Sequence, residues 1–311
     1  AWSARGAAMG GAVINSERGG FSVFYNPANI AAKDTGVNLQ LVNFQVEATE
    51  GLVQAFQEGG PTNFTDLGGL NGRLQKSPNT AIGGRYSVYP NITFRNFSIG
   101  MLYEVNRAAE VRNYDNALRV KARDRFAPVG ALSFRLLNGM FRIGASVQLL
   151  TVGEADTYLP LSTPTEEISF AKQIKAGSGI SKNAGMTFTL PFKYLPSFSF
   201  VARNIANTPL NGPPLVQFGN SRGATTQPMM FDLASELTVY LANPIEIKFE
   251  ADYRDFTNRL KIARLSRLSF GTELILFDLF KLRAGLGNGY PAFGFGFHAR
   301  RAAIEISYYS D

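Results

Sequence analysis

Residues 229–253 read Met229-Met-Phe-Asp-Leu-Ala-Ser-Glu-Leu-Thr-Val-Tyr-Leu241, then Ala242-Asn243-Pro244, then Ile245-Glu-Ile-Lys-Phe-Glu-Ala-Asp-Tyr253. In the second arm Ile245, Ile247, Phe249, Ala251 and Tyr253 share one face. Glu246, Lys248, Glu250, Asp252 and Arg254 share the other. In the first arm Met229, Phe231, Leu233, Leu237, Val239 and Leu241 oppose Asp232, Glu236 and Thr238. Period-two alternation specifies strands with two unlike faces. The Asn-Pro join is a turn, because proline presets φ and cannot donate to a ladder. A hairpin with one apolar and one charged face has two readings. In a soluble sandwich the apolar face points inward. In a membrane barrel it meets lipid, and the charged face lines the lumen. The choice depends on whether the pattern repeats.

It repeats along almost the whole chain. Val37, Leu39 and Leu41 share a face; after Val42 the phase flips to Phe44 and Val46, as at a β-bulge. Phe97, Ile99, Met101, Tyr103 and Val105 form a further set, as do Phe141, Ile143, Ala145, Val147 and Leu149. Met186, Phe188, Leu190 and Phe192 form another, followed by Phe198 and Phe200. Leu268 to Leu276, Phe280 to Leu286, Phe293 to Phe297 and Ile304 to Tyr308 continue it. Short connections at 89–91, 137–139, 193–195, 242–244, 277–279 and 299–301 alternate with mostly long ones at 48–78, 107–122, 153–179, 206–227 and 256–264, then a tighter 288–291. Sorting short turns to one side and long loops to the other is the habit of outer-membrane barrels, with the short turns periplasmic. The alternation counts about 13 strands, and an odd count leaves first and last strands parallel, which such barrels avoid. A final strand therefore lies outside this chain, or the count is short by one.

Composition agrees. The chain has 311 residues, 25 Phe and 31 Gly, and no apolar run long enough for a spanning helix. It has no Cys, which excludes thiol chemistry, disulfides and Cys-based metal sites. Its one His, His298, lies on a strand after Gly294 and Gly296, so a two-His metal site is excluded and a Ser-His catalytic pair has no local support. The reading is a non-enzyme without cofactor or metal. The net charge of +7 is spread over strands and loops, which argues against a nucleic-acid partner and fits contact with lipopolysaccharide or another anionic lipid. The start Ala1-Trp2-Ser3 is compatible with a mature chain after removal of a signal peptide.

Residues 1–34 do not alternate. Arg5-Gly-Ala-Ala-Met-Gly-Gly-Ala12 is small and glycine-rich, and Tyr25-Asn-Pro-Ala-Asn-Ile-Ala31 combines a turn with a proline suited to open a short helix. Together these two stretches resemble the opening of outer-membrane barrels of the FadL superfamily. The resemblance covers about a tenth of the chain. It implies a transmembrane antiparallel β-barrel of about 14 strands, with residues 1–34 as a hatch or plug inside the lumen and 35–311 as the barrel. It further implies passive uptake of hydrophobic small molecules such as fatty acids. Tyr25, Asn26, Pro27 and Ala28 would be hatch residues, and Met9 and Phe24 would contact ligand. The alternative is a barrel that does not transport but binds a protein partner or secretion translocon.

Two further expectations come from the residues. Residues 50–58 and 166–176 have near-helical apolar spacing, and Leu52, Val53 and Phe56 would form one side, either capping the mouth or greeting an apolar ligand. Asp232, Glu236, Glu246, Lys248, Glu250, Asp252 and Arg254 would form a lumenal charge lattice with neighbouring strands. The inward glycines, Gly144, Gly271, Gly285, Gly287, Gly294 and Gly296, leave room for a plug or relieve crowding at a curved wall.

Overall fold

The structure is a computed structural model that describes residues 3–32, 36–58, 74, 79–112, 117–160, 169–219, 221–242, 244–299 and 302–310. The remainder of the first long loop, residues 161–168, Asn243 and the Arg300-Arg301 turn lie outside the described residues. Among the described residues, one sheet of 16 strands holds the chain together. Its path begins at β1 (Asn38–Gln40), β2 (Phe44–Ala48), β3 (Ile82–Val88) and β4 (Asn91–Thr93). It continues through β5 (Phe97–Arg112), β6 (Ala117–Leu136), β7 (Phe141–Pro160), β8 (Lys175–Thr189) and β9 (Ser197–Arg203). After the short β10 (Ser221–Arg222) come β11 (Met230–Ala242), β12 (Ile245–Tyr253), β13 (Leu268–Leu276), β14 (Phe280–Gly287), β15 (Tyr290–His298) and β16 (Ala303–Tyr309). Neighbours along the path pair antiparallel; β10 alone is parallel, to β8.

Two strands are interrupted. β1 pairs β4 and β2 pairs β3, with the register offset by one residue between Asn38↔Thr93 and Phe44↔Val88. The phase flip at Val42 is that offset. The stretch 89–91 is likewise a break within one stave, since β3 and β4 both pair β5. The turn expected there falls at 94–96 instead, closed by Phe94 N–H on the Phe97 carbonyl at 2.7 Å. Counting each interrupted pair once and leaving out β10, the described strands make thirteen staves.

The two faces decide between the rival folds. The opening hairpin pairs Leu237 with Phe249 and Val239 with Ile247. Leu237 is 46% exposed and Phe293 55% exposed, as are Phe270, Leu282, Phe295 and Ile306 to similar degrees. On the other face Asp232, Glu236, Glu250, Asp252, Glu273 and Arg283 are all buried. A soluble sandwich would have the reverse. An apolar belt turned outward around a charged interior is stable only where the outside is hydrocarbon. No helix is long and apolar enough to cross a membrane.

β5, β6 and β7 run to 16, 20 and 20 residues, longer than the ~10 needed to cross. The loop expected at 107–122 is therefore largely strand, and that expected at 153–179 is strand at both ends. The extension is steadied by an apolar cluster of Leu52, Ile82, Val111, Leu118, Val120, Phe170, Ile174 and Phe218. At the ends of the path, β16 and β1–β2 have no second main-chain partner among the described residues. The Tyr309 hydroxyl donates to Glu47 Oε2 at 2.6 Å between them. Both edges line one open cavity of about 2860 Å³ that reaches the lumenal side.

Candidate functional site: the seat of the N-terminal segment

Residues 3–32 fold as helical turns, α1 (Ala4–Ala8), α2 (Ser22–Tyr25) and a 3-10 helix Pro27–Ala32. Most residues of the segment are buried and none is exposed. It lies on the charged face of the wall, against β6, β7 and β8 at one end and β14, β15 and β16 at the other. Close approach requires small wall residues. A Cβ on Gly271 or Gly285 would meet Met9, one on Gly287 would meet Gly10, and one on Gly294 would meet Ala8. Across the lumen a Cβ on Gly144 would meet the Pro27–Ala28 peptide, and one on Gly185 would meet Asn26. All the inward glycines but Gly296, whose Cβ would meet Arg283 and His298 of the wall, thus form the floor on which this segment rests. Gly10 itself has φ +62, a left-handed conformation that suits glycine.

Polar contacts go mainly to the segment's backbone. Glu236 and Glu250 stand directly opposite on β11 and β12, and Asp252 follows. Carboxylates so crowded repel. Asp252 Oδ2 accepts the N–H groups of Val13 at 2.9 Å and Ile14 at 3.0 Å. Glu250 accepts those of Asn15 at 2.5 Å and Ser16 at 3.3 Å. Arg254 donates to the Gly11 carbonyl at 2.5 Å, and Arg203, paired with Asp232, donates to Phe24 and Tyr25 carbonyls at 2.5 and 2.9 Å. Backbone amides therefore supply positive ends to buried acids that water cannot reach.

Arg5 makes the strongest side-chain link. It donates from Nε and Nη2 to Glu273 at 3.0 and 2.8 Å, and from Nη1 to Glu17 at 3.3 Å. Glu273 also takes Arg283, which reaches Glu305, and Glu305 takes His298 Nε2 at 2.8 Å. His298 Nδ1 faces Lys281 Nζ at 3.3 Å, so its setting is an ion network on the wall. Burial pushes the Glu17 carboxyl up, and Arg5 draws it back only in part.

Asn26 organises the turn. Its amide donates to Thr187 and Ser199 hydroxyls at 2.9 and 3.1 Å, and its Oδ1 accepts Ala28 N–H at 3.1 Å. Asn29 ties the halves of the segment by donating to Ile14 and Asn15 carbonyls at 3.0 and 2.9 Å. On the side toward the long strands, Val23, Phe24 and Ile30 pack with Tyr89, Leu102, Val129, Leu150 and Leu210. Phe21 is half-buried, lines the open cavity, and packs in a tilted arrangement against Tyr89 at a centroid distance of 5.1 Å.

Of the ligand-contact candidates, Met9 and Phe24 sit within this seat. Leu52 and Phe56 do not join them. Leu52 belongs to the cluster on the strand extension, on the helix α3 (Glu50–Gln57), while Phe56 and Val53 are exposed. Leu52 and Ala55, not Leu52, Val53 and Phe56, form the helix's buried side. The expected second helix is only Phe170–Gln173 among the described residues. Glu246 and Lys248 pair with each other at 3.1 Å, whereas the other five lattice residues engage the segment directly or through Arg203 and Arg18. Arg5, Asn15, Asn29, Arg203 and Glu273 were not singled out from sequence. Arg5 and Glu273 are 268 residues apart, and only topology joins them.

A multistranded, lipid-facing β-wall with an internal N-terminal segment defines the class of outer-membrane barrel. Neither protein-family models nor curated protein sequences match the chain. Solved structures do. The CymD monoaromatic hydrocarbon channel matches over 98% of this chain and 91% of its own, with a TM-score of 0.52 and 12% identity. A TodX monoaromatic hydrocarbon channel (a deltaS2 mutant) matches over the same shares, with a TM-score of 0.52 and 11% identity. The likeness is one of fold, to the barrels of these two channels.

Proposed function

We propose that this protein is an outer-membrane channel for passive uptake of hydrophobic small molecules, with long-chain fatty acids as the cargo, and that residues 3–32 act as its hatch. The observation that carries the reading is the apolar group of Phe21, Phe24 and Tyr89, in which Phe21 lines the open cavity and packs on the buried Phe24 and Tyr89. An apolar solute crosses a polar outer leaflet poorly, and a protein path with apolar contacts lowers that barrier. The likeness to two hydrocarbon channels supports a hydrophobic cargo. The backbone-directed clasp suits a hatch that is released as a unit, since loosening β12 would free several amides together.

The test is uptake of a fluorescent fatty acid into vesicles holding the purified protein. Influx well above empty vesicles is expected, with Phe21→Ala slowing it about tenfold. Influx equal to that of empty vesicles, together with co-purification of a large envelope protein, would favour the scaffold reading instead.

A further inference from the structure

On the short-turn side of the N-terminal segment the wall carries an arrangement that the seat does not use. Arg135 of β6 and Arg142 of β7 stand directly opposite, flanking the turn Leu137–Gly139. Strand alternation places both on the lumenal face, in line with Ser133 and Gly144, which meet Ala28 and Pro27. Like charges so placed repel. Arg142 is 7% exposed, yet its one hydrogen bond among the described residues is a long one, Nη2 to Thr189 Oγ1 at 3.5 Å. Its Nε has no partner. Arg18 of the segment and Arg135 act on it as cations, and Glu236 as the acid. Glu236 Oε1 accepts from Thr238 at 3.2 Å, and its buried Oε2, without a hydrogen bond, lies 3.9 Å from Arg18 and forms no ion pair with Arg142 among the described residues. A buried guanidinium without a hydrogen-bonded anion is costly.

We propose that Arg142, with Arg135 and Arg18 beside it, is an anion site whose ligand is the carboxylate of an amphiphilic cargo molecule leaving the hatch on the short-turn side. The cargo's identity rests on the function proposed above; the anion site does not. A guanidinium offers a planar fork of donors that matches a carboxylate and gives nothing to a neutral hydrocarbon. Short turns are periplasmic in such barrels, so the site sits on the release side. It would draw the acid head past the hatch and make carboxylated amphiphiles, not neutral hydrocarbons, the favoured class.

Calorimetry on the full chain in nanodiscs tests this, comparing octanoate with 1-octanol below their aggregation limits. The wild type should bind octanoate about tenfold more tightly than octanol, the return on one charge-assisted pair. Arg142→Gln should abolish that preference and leave octanol binding unchanged; Arg142→Lys should retain part of it. Inorganic phosphate should displace octanoate if any oxyanion suffices, whereas failure to displace it restricts the site to carboxylates. Octanol binding without an octanoate preference, or a preference that survives in Arg142→Gln, overturns the anion site and leaves the channel reading standing. Octanoate binding that depends on Arg142 while octanol does not bind overturns the apolar-cargo reading and keeps the site. Binding of neither ligand overturns both. The variants' heat-modifiable gel migration and β-sheet circular dichroism show whether each has folded.

Discussion

At the residue scale, the wall glycines under the segment do what no larger residue can. Gly285 and Gly271 leave the space that Met9 fills, and Gly144 leaves that of the Pro27–Ala28 peptide. Replacing Gly285 by Val should leave the barrel folded but unseat the segment, because the added carbons fall on backbone that cannot move aside. Hydrogen exchange of residues 3–32 should quicken by about 30-fold or more in this variant, equivalent to ~2 kcal/mol of lost docking. Gly130→Ala, where a Cβ meets nothing within 4 Å, is the matched control. Equal exchange in the two variants would remove the seating argument. These glycines were visible in sequence as an inward row. That the N-terminal segment rests on them came only from contacts such as Gly285 with Met9.

At the scale of the element, the segment is held by its backbone more than by its side chains. β12 supplies Asp252 and Glu250 to a run of successive amides, and that run has no side-chain code to betray it. The carboxylates were legible as a charged strand face, but their partners were not. Where ion pairs between neighbouring strands were expected, Asp232 pairs with Arg203 of β9, Glu246 and Lys248 pair within β12, and Asp252 takes its donors from residues 13 and 14. Asp252→Asn with Glu250→Gln keeps the shape and removes the charge. It should weaken several charge-assisted hydrogen bonds at once, by roughly 1 kcal/mol each, and raise the frequency of channel openings in planar bilayers. Unchanged conductance records would mean that the clasp does not govern opening.

At the scale of the molecule, the protein turns a soluble domain inside out. The outward belt of Leu237, Phe249, Phe270, Leu282 and Phe293 is stable in lipid and a liability in water. Phe270→Arg should reduce the stability of the vesicle-inserted protein by about 2–4 kcal/mol, read from denaturant-dependent refolding. Thr238→Arg, on the lumenal face, should cost much less; similar losses for both would contradict the assigned faces. Strand character, the two faces and the sorting of connections follow from the sequence alone, because alternation is written in adjacent residues and each strand reports its own period. The interruption at 89–91, the length of β5 to β7 and the partners of the buried acids were decided only in the tertiary structure. Asn15 meets Glu250 across 235 residues of chain, and no local pattern encodes a contact that exists only once the wall has curved around the segment.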